Sequence, residues 1–388
     1  MKRIVYLSPV PLHSPSQRPH HFARWCHERL GCAVDWVQPY PVRLPRLSDA
    51  RRLAPGARSA RTNLGPQWQD AAWLRVWQTP SLPLEPLPGG ASLVAWLQRA
   101  QRQQLRQLLA DPQAWLAVGR PSGMALDLCQ GLSGKRVLYD VMDDMAQFSR
   151  GLSQRWMRQA HNRLSGQAQV LWGSSRRIVQ DLEQSGLAAA LVRNGTVLPP
   201  HEAGAAQERA DASLPLVLGY VGTLASWFDW DALTQLARAL PEAQFPVYGP
   251  VEAGVPASLP ANVRLHGPVP HAQIFGLMRG WHAGLIPFVR NTLTASVDPV
   301  KYYEYRASGL PVLSTMFGEM PAHAQGDDGV WPLPQLLNLP AGALAERLRK
   351  WHAGQALRGD ALPDCIREAT WAARFEAGAR YAGWLAPA

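Results

Sequence analysis

Lysine is scarce in this chain of 388 residues. Arginine supplies 35 of the 39 basic residues, and the remaining four are Lys2, Lys135, Lys301 and Lys350. Lys301 follows a proline and stands three residues before Glu304 in the stretch DPVKYYEYRASGLPV. The scarcity excludes a lysine-rich tail or patch, and it makes the retention of a lysine at position 301 a feature to explain.

Cysteine and long apolar runs are scarce as well. The four cysteines, Cys26, Cys32, Cys129 and Cys365, form no Cys-x-x-Cys pair, and we expect them to be reduced and structural. No run of about 18 apolar residues occurs, so no transmembrane helix is expected. The start, MKRIVYLSPVPLHSPSQRPHH, predicts a strand and a loop in place of a secretory signal. We therefore expect a cytoplasmic protein.

The remaining composition is that of a globular protein, with 47% hydrophobic and 18% charged residues. The length suits two domains of similar size. The formal charge of +10 favours an acidic partner, either nucleotide phosphate, nucleic acid or an anionic membrane surface. No nucleic-acid-binding motif accompanies the charge, so nucleic acid is not an expected partner.

Short apolar runs alternate with helix-like segments along the chain, which predicts an α/β protein with two doubly wound sheets. We expect an N-terminal domain over residues 1–195, a linker rich in proline and alanine over 196–214, and a C-terminal domain over 215–363. A helical segment over 364–388 follows and is expected to cross back to the first domain. Between residues 41 and 90 the pattern lapses into a long Pro- and Arg-rich stretch, either a functional loop or a solvated insertion.

Glycines follow several predicted strands of the second domain. Gly222 and Thr223 end the stretch LGYVGT, where a backbone can approach a phosphate closely and offer it free amides. Gly249 follows a second strand, and the loop His266–Val269, with Gly267, follows a third. Such loops can read the edge of a base, although ordinary turns explain each of them separately.

Lys301 and Glu304 fall on one face of a short helix that begins near Pro299. The free amides and the dipole at a helix start attract an anion. A lysine there can neutralise a diphosphate, and a carboxylate one turn later can accept two hydrogen bonds from a ribose diol. A buried strand, LIPF, precedes this helix, and the strand LPV follows it.

This order of features resembles the nucleotide-sugar-binding half of GT-B glycosyltransferases, especially family 4 and its relatives. Their donor signature combines a strand such as LIPFV with P-x-K-x-x-E-Y and A-x-G-x-P-V-L, and here it reads PVKYYEYRASGLPVLST. The resemblance covers roughly Leu216–Thr315 and is mainly architectural before that. It implies two Rossmann-like domains facing a central cleft, with ribose on Glu304, pyrophosphate on Lys301 and Thr223, and the base near His266–Val269.

The chain departs from the family at two places. Ser296 stands where family 4 enzymes often carry a glutamate near the donor sugar, and SWFD at 226–229 replaces a common Arg and Lys. Lys301 is then expected to supply charge that other members draw from several residues, with assistance from Arg290. The resemblance implies no cofactor and no bound metal, since the nucleotide diphosphate sugar is a substrate.

Acidic and basic residues at two strand ends of the first domain are further candidates. Asp143 and Asp144 follow the strand RVLY, where a carboxylate can act on an acceptor or a donor-sugar hydroxyl, or alternatively cap the next helix. Arg18, His20 and His21 follow the first strand and are candidates for phosphate or acceptor contact, or a solvated helix start.

These features favour a metal-independent hexosyltransferase of surface polysaccharide or lipopolysaccharide synthesis. The resemblance of the donor helix to that of family 4 enzymes favours retention of anomeric configuration, whereas an aspartate base would allow inversion. The positive charge fits a glycan or lipid-linked acceptor and peripheral contact with an anionic inner membrane face. A nucleotide-sugar epimerase and a non-catalytic partner subunit of the same fold are the alternatives; the basic stretch at 41–90 argues against the first, and Ser296 permits the second.

Overall fold

The structure is a computed structural model that describes residues 1–45, 65–66, 68, 70–133, 135–199, 208–209, 211, 213–340, 342–357 and 361–386. The chain divides into two compact units. Unit 1 comprises Met1–Arg193 and Phe375–Ala388, and unit 2 comprises Asn194–Arg374. Residues 200–207, 210 and 212 of the predicted linker at 196–214, and residues 46–64, 67 and 69 of the basic stretch at 41–90, lie outside the described residues.

Unit 1 contains a parallel sheet of seven strands in the order β3-β2-β1-β4-β5-β6-β7. The first six follow the Rossmann order, in which strand succession reverses between β1 and β4. The apolar runs IVYL and AWLAV form these two central strands because both faces of a parallel sheet are covered. The strands are β1 (Arg3–Leu7), β2 (Ala33–Val37), β3 (Leu74–Trp77), β4 (Ala114–Val118), β5 (Val137–Val141), β6 (Val170–Gly173) and β7 (Ala190–Leu191).

Helices connect these strands. The first begins at Arg18 with Pro19 in its opening turn and ends at Gly31, whose φ of 65° is the left-handed conformation common after helices. The helices are α1 (Arg18–Leu30), α2 (Gly90–Leu97), α3 (Arg99–Leu109), α4 (Gly123–Gly131), α5 (Gly151–Gln167) and α6 (Arg176–Gln184), with a 3₁₀ turn at Met145–Phe148. The helix-like sequence of residues 93–109 predicts a single helix, but the structure divides it between α2 and α3.

Strand β3 was not predicted, because it falls within the Pro- and Arg-rich stretch. Its four residues, LRVW, have little apolar pattern and lie at an edge of the sheet. Trp77 is the exception: it is buried, and its indole N–H donates to Asp35 Oδ1 at 2.8 Å. The strand is therefore held by pairing with β2 and by one tertiary contact, neither of which a local sequence pattern reveals.

Unit 2 contains a parallel sheet of six strands in the order β10-β9-β8-β11-β12-β13, again the Rossmann order. Strand succession reverses between β8 and β11. Its strands are β8 (Leu218–Val221), β9 (Phe245–Tyr248), β10 (Val263–His266), β11 (Ala283–Ile286), β12 (Val312–Ser314) and β13 (Val330–Pro332).

The helices of unit 2 include the predicted donor helix. It begins after Pro299 and ends before Gly309, which has a φ of 73° and donates its amide to the Arg306 carbonyl at 3.0 Å. The helices are α7 (Trp230–Ala239), α8 (His271–Met278), α9 (Val300–Ala307), α10 (Met320–Gly326), α11 (Leu333–Leu336), α12 (Ala343–Leu357) and α13 (Asp364–Arg367). The last helix, α14 (Trp371–Tyr381), contributes residues from Phe375 onward to unit 1.

Each unit has its own apolar core. In unit 1 it includes Val5, Leu116 and Tyr139 from the central strands, and in unit 2 it includes Leu218, Leu285 and Tyr305. Within the part of the chain that the structure describes, no helix has the length and hydrophobicity needed to cross a bilayer.

Candidate functional site

Lys301 lies at the topological switch point of the unit 2 sheet, where open α/β sheets bind their ligands. Its ammonium nitrogen is 5.3 Å from the ring centroid of Tyr220, in β8, and 5.6 Å from that of Phe288, just after β11. Among the described residues, none forms a hydrogen bond or an ion pair with this ammonium group. Burial lowers the pKa of Lys301, and the nearby charge of Glu304 opposes that shift.

Two glycines bring the backbone close to this lysine. Gly222 follows β8 with a φ of 148°, and a Cβ atom there would lie 2.3 Å from Lys301 Cε. Gly249 follows β9 with a φ of 143°, and a Cβ atom there would lie 2.0 Å from the Gly222 carbonyl oxygen. Only glycine fits these positions, so the switch point combines close backbone approach with an unpaired cation.

Glu304 lies one turn after Lys301 and is 7% exposed. It pairs with His271, the first residue of helix α8, whose Nε2 atom is 2.9 Å from Glu304 Oε1. Burial alone would lower the pKa of His271, but the hydrogen bond and the charge of Glu304 outweigh burial and hold that pKa above its ordinary value. The carboxylate is thus fixed by a second element of unit 2.

The start of helix α9 is held by Asp298. This buried carboxylate accepts hydrogen bonds from the Asn194 amide and the Tyr303 hydroxyl, both at 2.9 Å, and lies 2.9 Å from His323 Nε2. Because three partners hold the residue just before Pro299, the first turn of the helix that carries Lys301 has a defined position.

The other predicted donor residues lie at or after the carboxyl ends of β8, β10 and β11. The Thr223 carbonyl accepts the Tyr220 hydroxyl at 3.0 Å. His266 is exposed, and its ring stacks on Tyr248 with centroids 4.4 Å apart. The remaining three differ in exposure: Val269 is half-buried against the core, whereas Gly267 and Arg290 are exposed.

Ser296 occupies the position of the family's additional glutamate and is 5% exposed. Its hydroxyl oxygen has no hydrogen-bond partner among the described residues. The serine is shorter and uncharged, so the carboxylate charge that the family pattern places here is missing from this chain.

Asp143 and Asp144 lie two and three residues after β5 in unit 1, and their environments differ. Asp144 caps the 3₁₀ turn, accepting from the Ala146 amide at 3.2 Å and from the Gln147 side-chain amide at 3.0 Å. Asp143 has no side-chain hydrogen bond to any described residue. Burial raises the pKa of Asp143 to about 7, with Arg18 opposing and Asp140 and Asp144 adding to the shift.

The neighbouring basic residues of unit 1 make internal bonds. Arg18 is 3% exposed and binds Asp140 with two hydrogen bonds of 2.8 Å, and it also donates to the Val192 carbonyl at 2.9 Å. His20 is 1% exposed, and its Nε2 atom lies 3.1 Å from the Leu12 carbonyl oxygen. His21 is half-buried. Acceptor contact by these three residues stays a prediction, and the bonds of Arg18 and His20 give both a structural role.

His271 was missed from the sequence. The sequence pointed to the loop His266–Val269 just before it, but nothing local marks His271 as a partner of a residue 33 positions later. The signal that sequence offers is indirect: a histidine at a helix start that follows a strand-end loop lies at the same sheet edge as Glu304.

No protein-family profile and no curated protein sequence matches the chain. Solved structures do. The chain is similar to sucrose-phosphate synthase from Thermosynechococcus elongatus, with a TM-score of 0.65, 13% identity and 99% of both chains covered. It is similar to Anabaena HepE in complex with UDP-glucose, with a TM-score of 0.64, 13% identity, and 99% of this chain and 100% of that one covered.

A third similar structure is the lipopolysaccharide outer core galactosyltransferase WaaB in its apo form. The TM-score is 0.53, with 13% identity, and the alignment covers 99% of this chain and 100% of that chain. The likeness extends over both units of the chain and confirms the predicted α/β architecture of the GT-B fold.

Proposed function

We propose that this GT-B-fold protein is a glycosyltransferase that takes a hexosyl group from a nucleoside diphosphate sugar. The observation that carries the proposal is Lys301, a partly desolvated cation left unpaired at the switch point of the unit 2 sheet. Keeping such a charge without a partner costs folding free energy, which an anionic ligand offsets when it binds. Gly222 supplies the close backbone approach that a diphosphate requires.

The nucleoside would bind beside this diphosphate position. Glu304 is one turn from Lys301, and a ribose diol can donate two hydrogen bonds to its carboxylate. The exposed ring of His266, stacked on Tyr248, lies at the carboxyl end of β10 and offers a flat surface to a base. One of the similar structures supports the nature of the ligand, because Anabaena HepE is in complex with UDP-glucose.

We assign the chemistry to Asp143. A carboxyl group with a pKa of about 7 and no hydrogen-bonded partner among the described residues can exchange a proton near neutral pH. The donor-helix resemblance favours retention, in which case Asp143 would hold a hydroxyl of the donor sugar. If Asp143 takes the proton of an acceptor hydroxyl, inversion results, and the anomeric configuration of the product distinguishes the two. We propose that neither course requires a bound metal.

The proposed acceptor is a glycan or lipid-linked saccharide of surface polysaccharide synthesis. Its support is the net charge of +10, which favours an anionic membrane face, and the likeness to WaaB, whose name refers to the lipopolysaccharide outer core. A cytoplasmic protein in peripheral contact with the membrane accommodates both the soluble donor and such an acceptor.

The test is calorimetric titration of the wild type and Lys301→Ala with UDP, GDP and ADP. For the diphosphate that binds the wild type most tightly, we expect Lys301→Ala to weaken binding at least about tenfold, because a charge-assisted contact is worth about 1.5 kcal/mol or more. Lys350→Ala is the matched control, since Lys350 is exposed and pairs with Glu346 on a surface helix.

Three outcomes separate the alternatives. Equal binding by Lys301→Ala and the wild type would contradict the donor site. Donor binding without transfer or hydrolysis in the presence of lipid-linked acceptors would identify a non-catalytic subunit. Interconversion of free nucleotide sugars without any acceptor would identify an epimerase.

A further inference from the structure

Lys301 and Glu304 have opposite charges at an i,i+3 spacing on one helix, an arrangement that commonly forms an ion pair. They do not pair here. The Glu304 carboxylate is bonded to His271 Nε2 at 2.9 Å, while the Lys301 ammonium has no hydrogen-bond or ion-pair partner in the described part of unit 2. The fold therefore pairs Glu304 with His271 and not with Lys301.

The surroundings of His271 hold its ring in place. It is half-buried, it begins helix α8, and the edge of its ring faces Phe275 one turn later, with centroids 6.4 Å apart. The loop before it, from Gly267 to Pro270, follows β10. His271 thus joins the loop expected to read the base to the helix that carries Glu304.

We propose that His271 is a positioning residue that keeps Glu304 away from Lys301 and orients its carboxylate toward the 2′- and 3′-hydroxyls of a ribonucleotide. The proposal rests on the nucleotide site of the proposed function. It adds that the site selects a ribonucleoside diphosphate over its 2′-deoxy counterpart, and that the residue setting this selection lies outside the donor signature.

The physical argument concerns the number of hydrogen bonds that a carboxylate can accept. Glu304 has two oxygens with about four acceptor positions, of which His271 occupies one on Oε1. The remaining positions suffice for two hydroxyl donors. Without His271, the buried carboxylate needs another partner, and Lys301 is the opposite charge one turn away on the same face of the helix, since Arg306 is already paired with Asp327. That new pair would remove the diol acceptor and the diphosphate-binding cation together.

The experiment compares His271→Ala, His271→Asn and His271→Gln with the wild type. The side-chain amide of glutamine can donate from about the position of Nε2, whereas that of asparagine is too short to do so. Each protein is titrated with UDP, GDP and ADP, and with the 2′-deoxy form of whichever diphosphate binds the wild type most tightly. Thermal unfolding of each variant checks that it is folded.

We expect the wild type to prefer the ribonucleotide about tenfold or more. In His271→Ala and His271→Asn, the ratio of ribonucleotide to 2′-deoxyribonucleotide affinity should fall toward one, and the affinity for the diphosphate should fall about tenfold. His271→Gln should restore both quantities. A purely structural role of His271 would lower stability without changing the preference for the ribonucleotide over its 2′-deoxy form, and that result would overturn the proposal. Loss of this preference in all three variants, including His271→Gln, would overturn it as well. If no nucleoside diphosphate binds the wild type, the proposed function itself fails.

Discussion

Asp143 and Asp144 are adjacent residues whose carboxyl groups differ in what they contribute to the fold. Asp144 accepts two hydrogen bonds, from the Ala146 backbone amide and the Gln147 side chain, whereas Asp143 is desolvated without such compensation. Its folded-state pKa of about 7 lies above the ordinary 3.8, so the stability present when it is protonated is lost as the pH rises toward and through 7.

Asp143→Asn should therefore stabilise unit 1 in alkaline solution. Relative to the wild type, we expect little difference at about pH 4 and a gain of about 1–2 kcal/mol at about pH 8, a discounted value because the carboxyl is partly exposed. If Asp143 carries the chemistry, the same variant should also lose sugar transfer while keeping its nucleotide affinity. Urea unfolding at both pH values measures the change in stability, and a transfer assay measures the loss of activity.

The matched control is Asp144→Asn. Asparagine caps helical turns about as well as aspartate, so we expect a change within about 0.5 kcal/mol at about pH 4. At about pH 8 the gain should be smaller than that of Asp143→Asn, because Asp144 is only a minor cause of the raised pKa of Asp143. A stability gain that is the same at both pH values in Asp143→Asn would contradict the raised pKa.

Single residues also mark the limit of what could be predicted here. Lys301 and Glu304 were found because their spacing, the preceding proline and the following glycine are local features of one helix. His271 was not, because its significance comes from a contact between two helices. The separate tasks of Asp143 and Asp144 were likewise open in the sequence, since they depend on which carboxylate reaches the free amide of Ala146.

At the scale of elements, the end of β8 and the start of helix α9 form one unit of the site. The backbone of Gly222 lies against the side chain of Lys301, which is possible only because position 222 has no Cβ atom. The glycine that follows β8 therefore determines where the side chain of Lys301 can lie.

Gly222→Ala tests this dependence. We expect a loss of about 1–3 kcal/mol in stability, because alanine is strained at a φ of 148°. Nucleotide affinity should fall at least about tenfold, because the methyl group would displace the flexible end of Lys301. Thermal unfolding and titration with the nucleoside diphosphate preferred by the wild type measure the two effects.

Gly276→Ala is the control for that substitution. Gly276 lies within helix α8, and a Cβ atom there would meet nothing within 4 Å. Alanine in a helix interior should raise stability by about 0.5–1 kcal/mol and leave affinity unchanged. A Gly222→Ala protein that binds nucleotide as the wild type does would show that the lysine and the strand end are independent.

Elements were predictable where their apolar runs are buried on both faces. The central strands of both sheets have that pattern, whereas helix α9 was predicted from the proline before it and the glycine after it. Strand β3 lacks that pattern, since an edge strand of four residues needs little apolar sequence and is held by its neighbour. The break between helices α2 and α3 was also missed, because GASLVAWLQRAQRQQLRQLL contains no proline and no internal glycine to mark it.

At the scale of the whole molecule, unit 1 is completed by the end of the chain. Phe375 is fully buried, and its ring lies 5.4 Å from that of Phe22 and 5.8 Å from that of Trp25. Trp384 adds an edge-to-face contact with Trp115 at 5.0 Å. Residues from the two ends of the sequence therefore share one core.

Deleting Phe375–Ala388 should destabilise unit 1 selectively. We expect a loss of at least about 3–5 kcal/mol in its free energy of unfolding, the cost typical of removing one buried phenylalanine. Nucleotide binding by unit 2, which ends at Arg374, should persist. Denaturant unfolding followed by tryptophan fluorescence, together with titration, measures both quantities.

A chain that ends after Leu385 retains Phe375 and Trp384 and serves as the control. Should the longer deletion prevent folding, Phe375→Ala removes the ring contacts with Phe22 and Trp25 with less disruption. Unchanged unfolding of unit 1 in the longer deletion or in Phe375→Ala would contradict the contribution of the C-terminal segment.

Lysine scarcity has a chemical consequence beyond binding. Lys2, Lys135 and Lys350 are exposed, whereas the amine of Lys301 is partly buried with a lowered pKa. A larger share of that amine is uncharged and nucleophilic in mildly alkaline solution than its ordinary pKa would give. A nucleotide analogue bearing an aldehyde at its diphosphate end could therefore form an imine there, and borohydride would fix the label at one known atom of the protein.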